Sequence, residues 1–345
     1  MERSNFGVKH MAFYVLDQFS LRALSAALTV LRLANETSET IVYEWRVVSQ
    51  TGGSVVSACG LELAADVSID EERELLLTER RPFMAVICGG HEMPAAARGL
   101  TAWVRECALH RICIGTLAGG AFIPAAAGLH RNKRWAVHWE HFPAFNESFP
   151  EITATQSLYE IDGDLFSCAG GDASFDMFLR FVERDVGLAG IDRICEKAMV
   201  DRMRPPGERQ RLPLQTRFGV AHPAVVKVIE QMEANLVQPL RLDKLAPASG
   251  LSRRQIERLF FQQLGRTPAR YYLELRLEKG ELLIKHSALP IIEVAMACGF
   301  VSGSHFTKSY RSHYGATPQQ HRMAALAERS RPAARRVIRR SRTAA

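Results

Sequence analysis

The spacing of apolar positions changes character near residue 220. Before it, short apolar runs alternate with helically spaced stretches. "GVKHMAFYVLD" (7–17) reads as a buried strand and "SLRALSAALTVLRLANE" (20–36) as a helix. "YEWRVVSQ" (43–50) and "SVVSACGLEL" (54–63) read as strands. "FMAVICGG" (83–90) is an apolar run closing on glycines, with a helix expected over 94–110. "RICIGTL" (111–117) is another buried strand, with a helix expected over 118–128. "SLYEIDGDLFSCAGG" (157–171) has the Asp-Gly turn of a hairpin, and helices are expected over 172–187 and 189–200. Strand and helix alternating in this way predict a flavodoxin-like α/β sandwich with a largely parallel sheet.

Beyond that point the strand signal disappears. Residues 201–221, rich in Pro and Arg, read as a linker. Helical periods follow over 222–236, 241–249, 252–264, 268–286, 290–298 and 302–314. The expected organisation is an α/β domain over 1–200, the linker, an all-α domain over 222–323, and a basic tail over 324–345 without fixed structure. A chain of 345 residues exceeds one ordinary core, which agrees with two domains.

Charge sharpens the division. Residues 1–200 carry 18 Lys+Arg against 26 Asp+Glu, a net of −8; residues 201–345 carry 26 against 11, a net of +15. Only the second half is built to meet a polyanion. No apolar run approaches 18 residues, so no membrane-spanning helix is expected. Seven scattered cysteines with no CxxC, and a first segment unlike a leader peptide, fit free thiols in the cytoplasm; no zinc-ligand spacing is present and no cofactor is expected.

Two helix–turn–helix units emerge from the helical half. In "LRLDKLAPASGLSRRQIERLFFQQLG", Gly250 permits the turn, and Ser252 with Gln255 forms a capping-box pattern. Ile256, Leu259 and Phe260 share the core face, leaving Arg253, Arg254, Glu257 and Arg258 outward as a DNA-reading face. In "PIIEVAMACGFVSGSHFTKSYRSHYG", Gly299 makes the turn while Phe306 and Tyr310 anchor the second helix. Gly303, Ser304, Thr307, Lys308 and Arg311 then face outward, hydroxyls for base edges or phosphates and cations for the backbone. The helix between the units, about 28 Å long, would suit reading of successive major grooves roughly 34 Å apart. Pro247, in the first unit's leading helix, is expected to shorten or bend it.

In the α/β half the chemistry gathers at strand ends: Gly89 and Gly90, the elbow "IGTLAGGAF" (114–122), and "AVHWEH" (136–141). Glycines there would let backbone amides approach a ligand. The candidate ligand residues are Gly89, Gly90, Ala118, Gly119, His138, Trp139 and Glu140. Structural alternatives stand beside them, namely a core tryptophan and a histidine hydrogen-bonded within the fold. Cys113 lies inside the strand as a buried structural thiol.

"ICGG", the elbow, "AAAGL", "HWE" and "CAGGDASFDMFL" resemble ThiJ/PfpI-type, class I glutamine-amidotransferase-like domains over about residues 6–190. The resemblance implies a catalytic cysteine at the elbow paired with a histidine. Here the position reads Ala118, which offers no nucleophile, so no catalytic residue and no enzyme activity are expected. "GLSRRQIERLF", "GRTPARYYLELRLEKGELL" and "EVAMACGFVSGSHFTKSYRSHYG" resemble the AraC/XylS family of transcriptional regulators over about 222–322. The combination resembles its GlxA-type branch, and within it regulators of carnitine and glycine-betaine catabolism. That implies an activator that binds promoter double-stranded DNA as a homodimer, works with RNA polymerase, and answers to a small-molecule effector. The effector would be a quaternary amine such as carnitine or glycine betaine, held against Trp135, Trp139 and Glu140. An amino acid such as arginine, or no effector at all, are the alternatives.

Overall fold

The computed structural model describes residues 7–38, 40–91, 98–220 and 222–329. The chain divides into two compact units, with Gln210 the last residue of the first and Arg211 the start of the second.

The first unit runs β1 (Lys9–Val15), α1 (Leu21–Ser38), β2 (Tyr43–Ser49), β3 (Val55–Val56), β4 (Glu62–Leu63), β5 (Val67–Ser68), α2 (Ile69–Glu74), β6 (Met84–Cys88), α3 (Arg98–Leu109) and β7 (Cys113–Leu117). It continues through α4 (Phe122–Ala126), β8 (Arg134–Ala136), α5 (Phe142–Ser148), β9 (Thr153–Thr155), β10 (Tyr159–Asp162), β11 (Leu165–Cys168) and α6 (Ala173–Ala198). Seven strands form one sheet in the order β10-β11-β7-β6-β1-β2-β5, parallel except for the β10–β11 hairpin. The central strands β6 and β7 are almost wholly buried, which is why their sequences read as continuous apolar runs. Phe13, Leu24, Leu31 and Phe178 belong to one core cluster joining β1, α1 and α6.

Polar groups pin the edges of this sheet. Arg46 on β2 makes a two-pronged ion pair with Glu72 on α2 at 2.8 and 2.9 Å, both side chains buried. Lys9 on β1 and Tyr43 on β2 both hydrogen-bond Asp185 on α6.

Several details depart from the expected elements. "SVVSACGLEL" is not one strand but the short antiparallel pair β3–β4. The helix expected over 118–128 begins as a 3-10 turn over Ala118–Ala121 and becomes α-helical only from Phe122. The expected helices 172–187 and 189–200 form one run, α6, broken at Gly187, whose φ of 69° is non-helical. The start of the helix expected over 94–110 lies outside the described residues.

The second unit is all helical: α7 (Leu214–Phe218), α8 (Pro223–Ala234), α9 (Leu242–Ser249), α10 (Arg253–Leu264), α11 (Pro268–His286), α12 (Ile291–Ala297), α13 (Gly303–Tyr314) and α14 (Pro318–Arg329). Val228, Ile229, Ile256, Phe260 and Tyr271 pack one core cluster around α8, α10 and the start of α11. Phe306 and Tyr310 are fully buried around the other half. Residues 324–329 of the expected unstructured tail are helical, as the last turns of α14; 330–345 lie outside the described residues.

The segment expected as a linker is divided between the two units. Arg204 pairs with Asp176, the Pro206 carbonyl accepts from the Leu158 amide, and Gln210 bonds the first unit. Leu214 and Val220 are buried in the second core. A proline- and arginine-rich composition hides these few anchoring side chains.

Candidate functional site

Ala118 follows β7 at φ +52°, a left-handed conformation unusual for a residue with a side chain. Leu117 before it is extended and the next residues turn helically, so the chain reverses sharply at Ala118. That is the mount of a nucleophile elbow, carrying only a methyl group.

The surrounding glycines serve the backbone itself. A Cβ on Gly90 would overlap the Gln18 carbonyl, and one on Gly89 the Gly120 amide. The Gly89 amide donates to the Leu117 carbonyl at 3.0 Å, and the Gly119 amide to the Gly90 carbonyl at 3.1 Å. Gly89, Gly90 and Gly119 are buried, and Ala118 is only 9 % exposed. The Gly89 and Gly119 amides are thus used within the fold, and the glycines let two strand ends lie against each other. Cys113 is half-buried rather than fully buried, and burial raises its thiol pKa.

What faces outward beside the elbow is a cluster of side chains. His138, Trp139 and Glu140 are half-buried, and His91, next after Gly90, is exposed. His91 Nδ1 lies 3.1 Å from Glu140 Oε2, and His138 Nδ1 lies 3.7 Å from the same oxygen. The Nε2 of buried His141 bonds the His91 carbonyl at 2.7 Å, fixing the backbone that carries the exposed imidazole. One potential ligand atom from each of His91, His138 and Glu140 lies within 4.8 Å of the other two.

The electrostatics follow from this crowding. The hydrogen bond from His91 holds the Glu140 carboxyl down at about 2, and the same bond raises the His91 pKa. Burial, then His141, pushes His138 down to about 4, leaving a neutral imidazole at neutral pH. Sequence reasoning found His138 and Glu140 but missed His91, which lies 47 residues upstream of His138 and carries no motif.

Trp135 does not join them. It is fully buried, packs on Phe145, and donates its indole N–H to the His130 carbonyl at 3.1 Å. As an alternate position along β8 it points into the core, so its place in an aromatic ligand cage is withdrawn. The Trp139 ring lies tilted against His138, with centroids 5.7 Å apart, and its amide donates to Gln210 Oε1 at 2.8 Å. Gln210 also donates to the Val137 and Ser157 carbonyls at 2.9 and 2.7 Å. It is the last residue before the second unit.

In the second unit, α10 begins with a complete capping box between Ser252 and Gln255. Ile256 and Phe260 face the core; Arg253, Arg254 and Arg258 are exposed, while Glu257 is half-buried. Arg253 is bound to Glu257 at 3.0 Å and lies 3.6 Å from Asp243. Arg254 and Arg258 have no carboxylate partner among the described residues, so the free positive charge of this face sits on them. Pro247 does not end α9: the helix continues to Ser249 and closes on the left-handed Gly250. Pro247 has no N–H to give the Asp243 carbonyl four residues back, yet the helix holds for two more residues and closes with the Gly250 amide on the Pro247 carbonyl at 3.2 Å.

On α13, Ser302 caps the first turn by accepting from the His305 amide. Gly303, Ser304, Thr307, Lys308 and Arg311 line one shallow groove of about 930 Å³, together with Ile292, Ser312 and Thr317. The turn before α13 is held from α11. The Arg276 guanidinium donates to the Cys298 and Gly299 carbonyls, both at 2.7 Å, and lies 4.1 Å from the Phe300 ring centroid. Lys279, one turn on, donates to the Ala297 carbonyl at 2.8 Å. The spacer helix is thus a clamp on the second unit, a role that the spacing of its charged residues did not reveal.

A helix-turn-helix domain model matches residues 245–324, and the model of the DJ-1/PfpI family matches residues 9–184. The HTH-type transcriptional regulator CdhR of Pseudomonas aeruginosa is 34 % identical over 310 residues, 90 % of each chain. The chain belongs to the AraC-type transcriptional regulators with an N-terminal DJ-1/PfpI domain. Within that family, GlxA of Rhizobium meliloti is 31 % identical over 320 residues, 90 % of this chain and 94 % of the relative. A solved AraC-family regulator from Pseudomonas putida matches with a TM-score of 0.50 and 26 % identity, covering 55 % of this chain and 99 % of its own. These relatives are named as regulators of transcription, and this chain is a DNA-binding regulator of that family. No described helix is long and apolar enough to cross a membrane.

Proposed function

We propose that the chain is a transcriptional activator controlled by a small metabolite bound at the outward rim of its DJ-1/PfpI domain. The observation that carries the reading is the pairing of a bare elbow with a two-sided DNA-reading domain. At Ala118 no covalent adduct can form, so a bound metabolite would be sensed rather than consumed. The DNA face consists of Arg253, Arg254, Glu257 and Arg258 on α10, and Gly303, Ser304, Thr307, Lys308 and Arg311 on α13. Arg254, Arg258, Lys308 and Arg311 supply the free charge. It acts on promoter DNA as a homodimer and recruits RNA polymerase.

The ligand residues are His138, Trp139 and Glu140, over the buried frame of Gly89, Gly90, Ala118 and Gly119. A carboxylate beside an indole suits a quaternary amine such as carnitine or glycine betaine. Control of DNA binding requires the effector to prefer one state of the chain. A physical route supports it: Trp139, between His138 and Glu140, is bonded to Gln210, and the next residue enters the DNA-binding unit.

The test uses the full chain. Its thermal unfolding is followed against a panel of betaine, carnitine and amino acids, and promoter footprints are taken with and without any metabolite that shifts it. A quaternary amine should raise the melting temperature and alter the footprint, and Gln210→Ala should keep the first effect while losing the second. A shift by arginine alone would replace the quaternary amine with an amino acid. No shift by any member of the panel, with an unchanged footprint, would remove the sensor.

A further inference from the structure

We propose that His91, His138 and Glu140 form a binding site for a divalent transition-metal ion at the rim beside the elbow. Two imidazole nitrogens and one carboxylate oxygen, all within 4.8 Å of one another, converge at the rim, where His91 bonds the Glu140 carboxylate and the Glu140 amide donates to His138 Nδ1 at 3.3 Å. Metal–ligand distances of about 2.0–2.2 Å place neighbouring ligand atoms roughly 3–4 Å apart around one ion. The separations of 3.1 and 3.7 Å from Glu140 Oε2 to the two imidazoles fall in that range.

Both rings turn Nδ1 toward the same carboxylate oxygen, and a cation between them would take the place of the His91–Glu140 hydrogen bond and of the Glu140 amide's contact with His138 Nδ1. The scaffold is rigid where a ligand set needs it. His91 is tied through its carbonyl to His141, and its neighbour Gly90 accepts from Gly119 at the elbow. The donor set selects among metals. Calcium and magnesium want oxygen ligands, whereas two imidazoles with a carboxylate suit zinc, cobalt, nickel or ferrous iron.

Three protein ligands leave at least one coordination position open. Betaine, carnitine and amino acids all carry a carboxylate that such a position takes, which leaves the Trp139 ring to meet the cationic end, since Glu140 is then a metal ligand. This second step rests on the effector reading above; the metal site itself does not.

The experiment strips the full-length chain with a chelator and titrates zinc in competition with a chromophoric chelator, then repeats the titration with cobalt while recording the visible spectrum. One equivalent per chain is expected, with a cobalt spectrum free of thiolate charge-transfer bands. His91→Ala, His138→Ala and Glu140→Gln should each weaken binding at least about tenfold, since losing even an outer partner costs that much. His91 is exposed, so His91→Ala keeps the fold, which circular dichroism checks. The proposal is overturned by a wild-type chain that takes up no zinc, by unchanged affinity in His91→Ala, or by a thiolate band, which would put the ion on cysteines. A metabolite shift that persists undiminished in chelator removes the carboxylate step alone. Zinc uptake with no metabolite shift retains the site and removes the effector reading.

Discussion

Replacing Arg276 with alanine tests whether α11 holds the second DNA-reading unit together. The side chain gives two charge-assisted hydrogen bonds to the Cys298 and Gly299 carbonyls and covers the Phe300 ring. Bonds to charged groups contribute about 1.5–3 kcal/mol each, and the ring contact about 0.5–1 kcal/mol. Gly299 is only partly buried, and water entering the space left by the side chain can replace some of what is lost, so the expected cost is about 3 kcal/mol. All four tryptophans, at 45, 103, 135 and 139, lie in the first unit, so their fluorescence reports that unit while far-ultraviolet circular dichroism reports the helices of both. In urea, Arg276→Ala should lower the helical transition of the second unit by on the order of 2 M, for a slope near 1.5 kcal/mol per molar. The tryptophan transition should stay where it is. Arg276→Lys keeps one point charge without the fork and should fall about midway. An unmoved helical transition, or an equal shift of the tryptophan signal, refutes the clamp.

Arg258→Ala and Lys308→Ala should each weaken promoter binding. A base contact costs about 1–3 kcal/mol and relaxes sequence preference, whereas a phosphate contact lowers the salt slope by about 1; equilibrium binding at several salt concentrations separates the two. Arg253→Ala should cost less than Arg258→Ala, because Glu257 already occupies its guanidinium. Glu72→Gln strips the partner from buried Arg46 and should cost about 3 kcal/mol, read as an earlier tryptophan transition. Burial, then Lys133, depresses His130 to about 4. The unfolded histidine binds its proton near 6.5, so the unfolded state holds more protons between those values. Stability should be full above pH 6.5 and fall as pH drops toward about 4, by up to about 3 kcal/mol, and His130→Asn should flatten that slope in acid-unfolding curves.

The helical half was the most legible part of the chain. The helices expected over 252–264, 268–286 and 302–314 are found as Arg253–Leu264, Pro268–His286 and Gly303–Tyr314. Caps, turn glycines and a 3.6-residue apolar period are local signals, and a sequence prints them directly. The strand-to-glycine junctions of the α/β half were legible for the same reason. Less legible were the short elements β5 and α7, whose two to five residues carry too little periodicity to stand out. The face of a residue on a short strand also stayed hidden, which is why Trp135 was placed at a ligand and lies in the core.

By itself, then, the sequence determined the class of each half, the positive charge of the second, and the missing nucleophile at Ala118. These depend on residue identity and near-neighbour spacing. Tertiary structure alone decided which distant groups meet. It brought His91 to His138 and Glu140, set Arg276 on the turn before α13, and turned the glycines of the elbow into backbone packing. Each of these is a through-space contact between elements, and no periodicity along a chain encodes a distance across the fold.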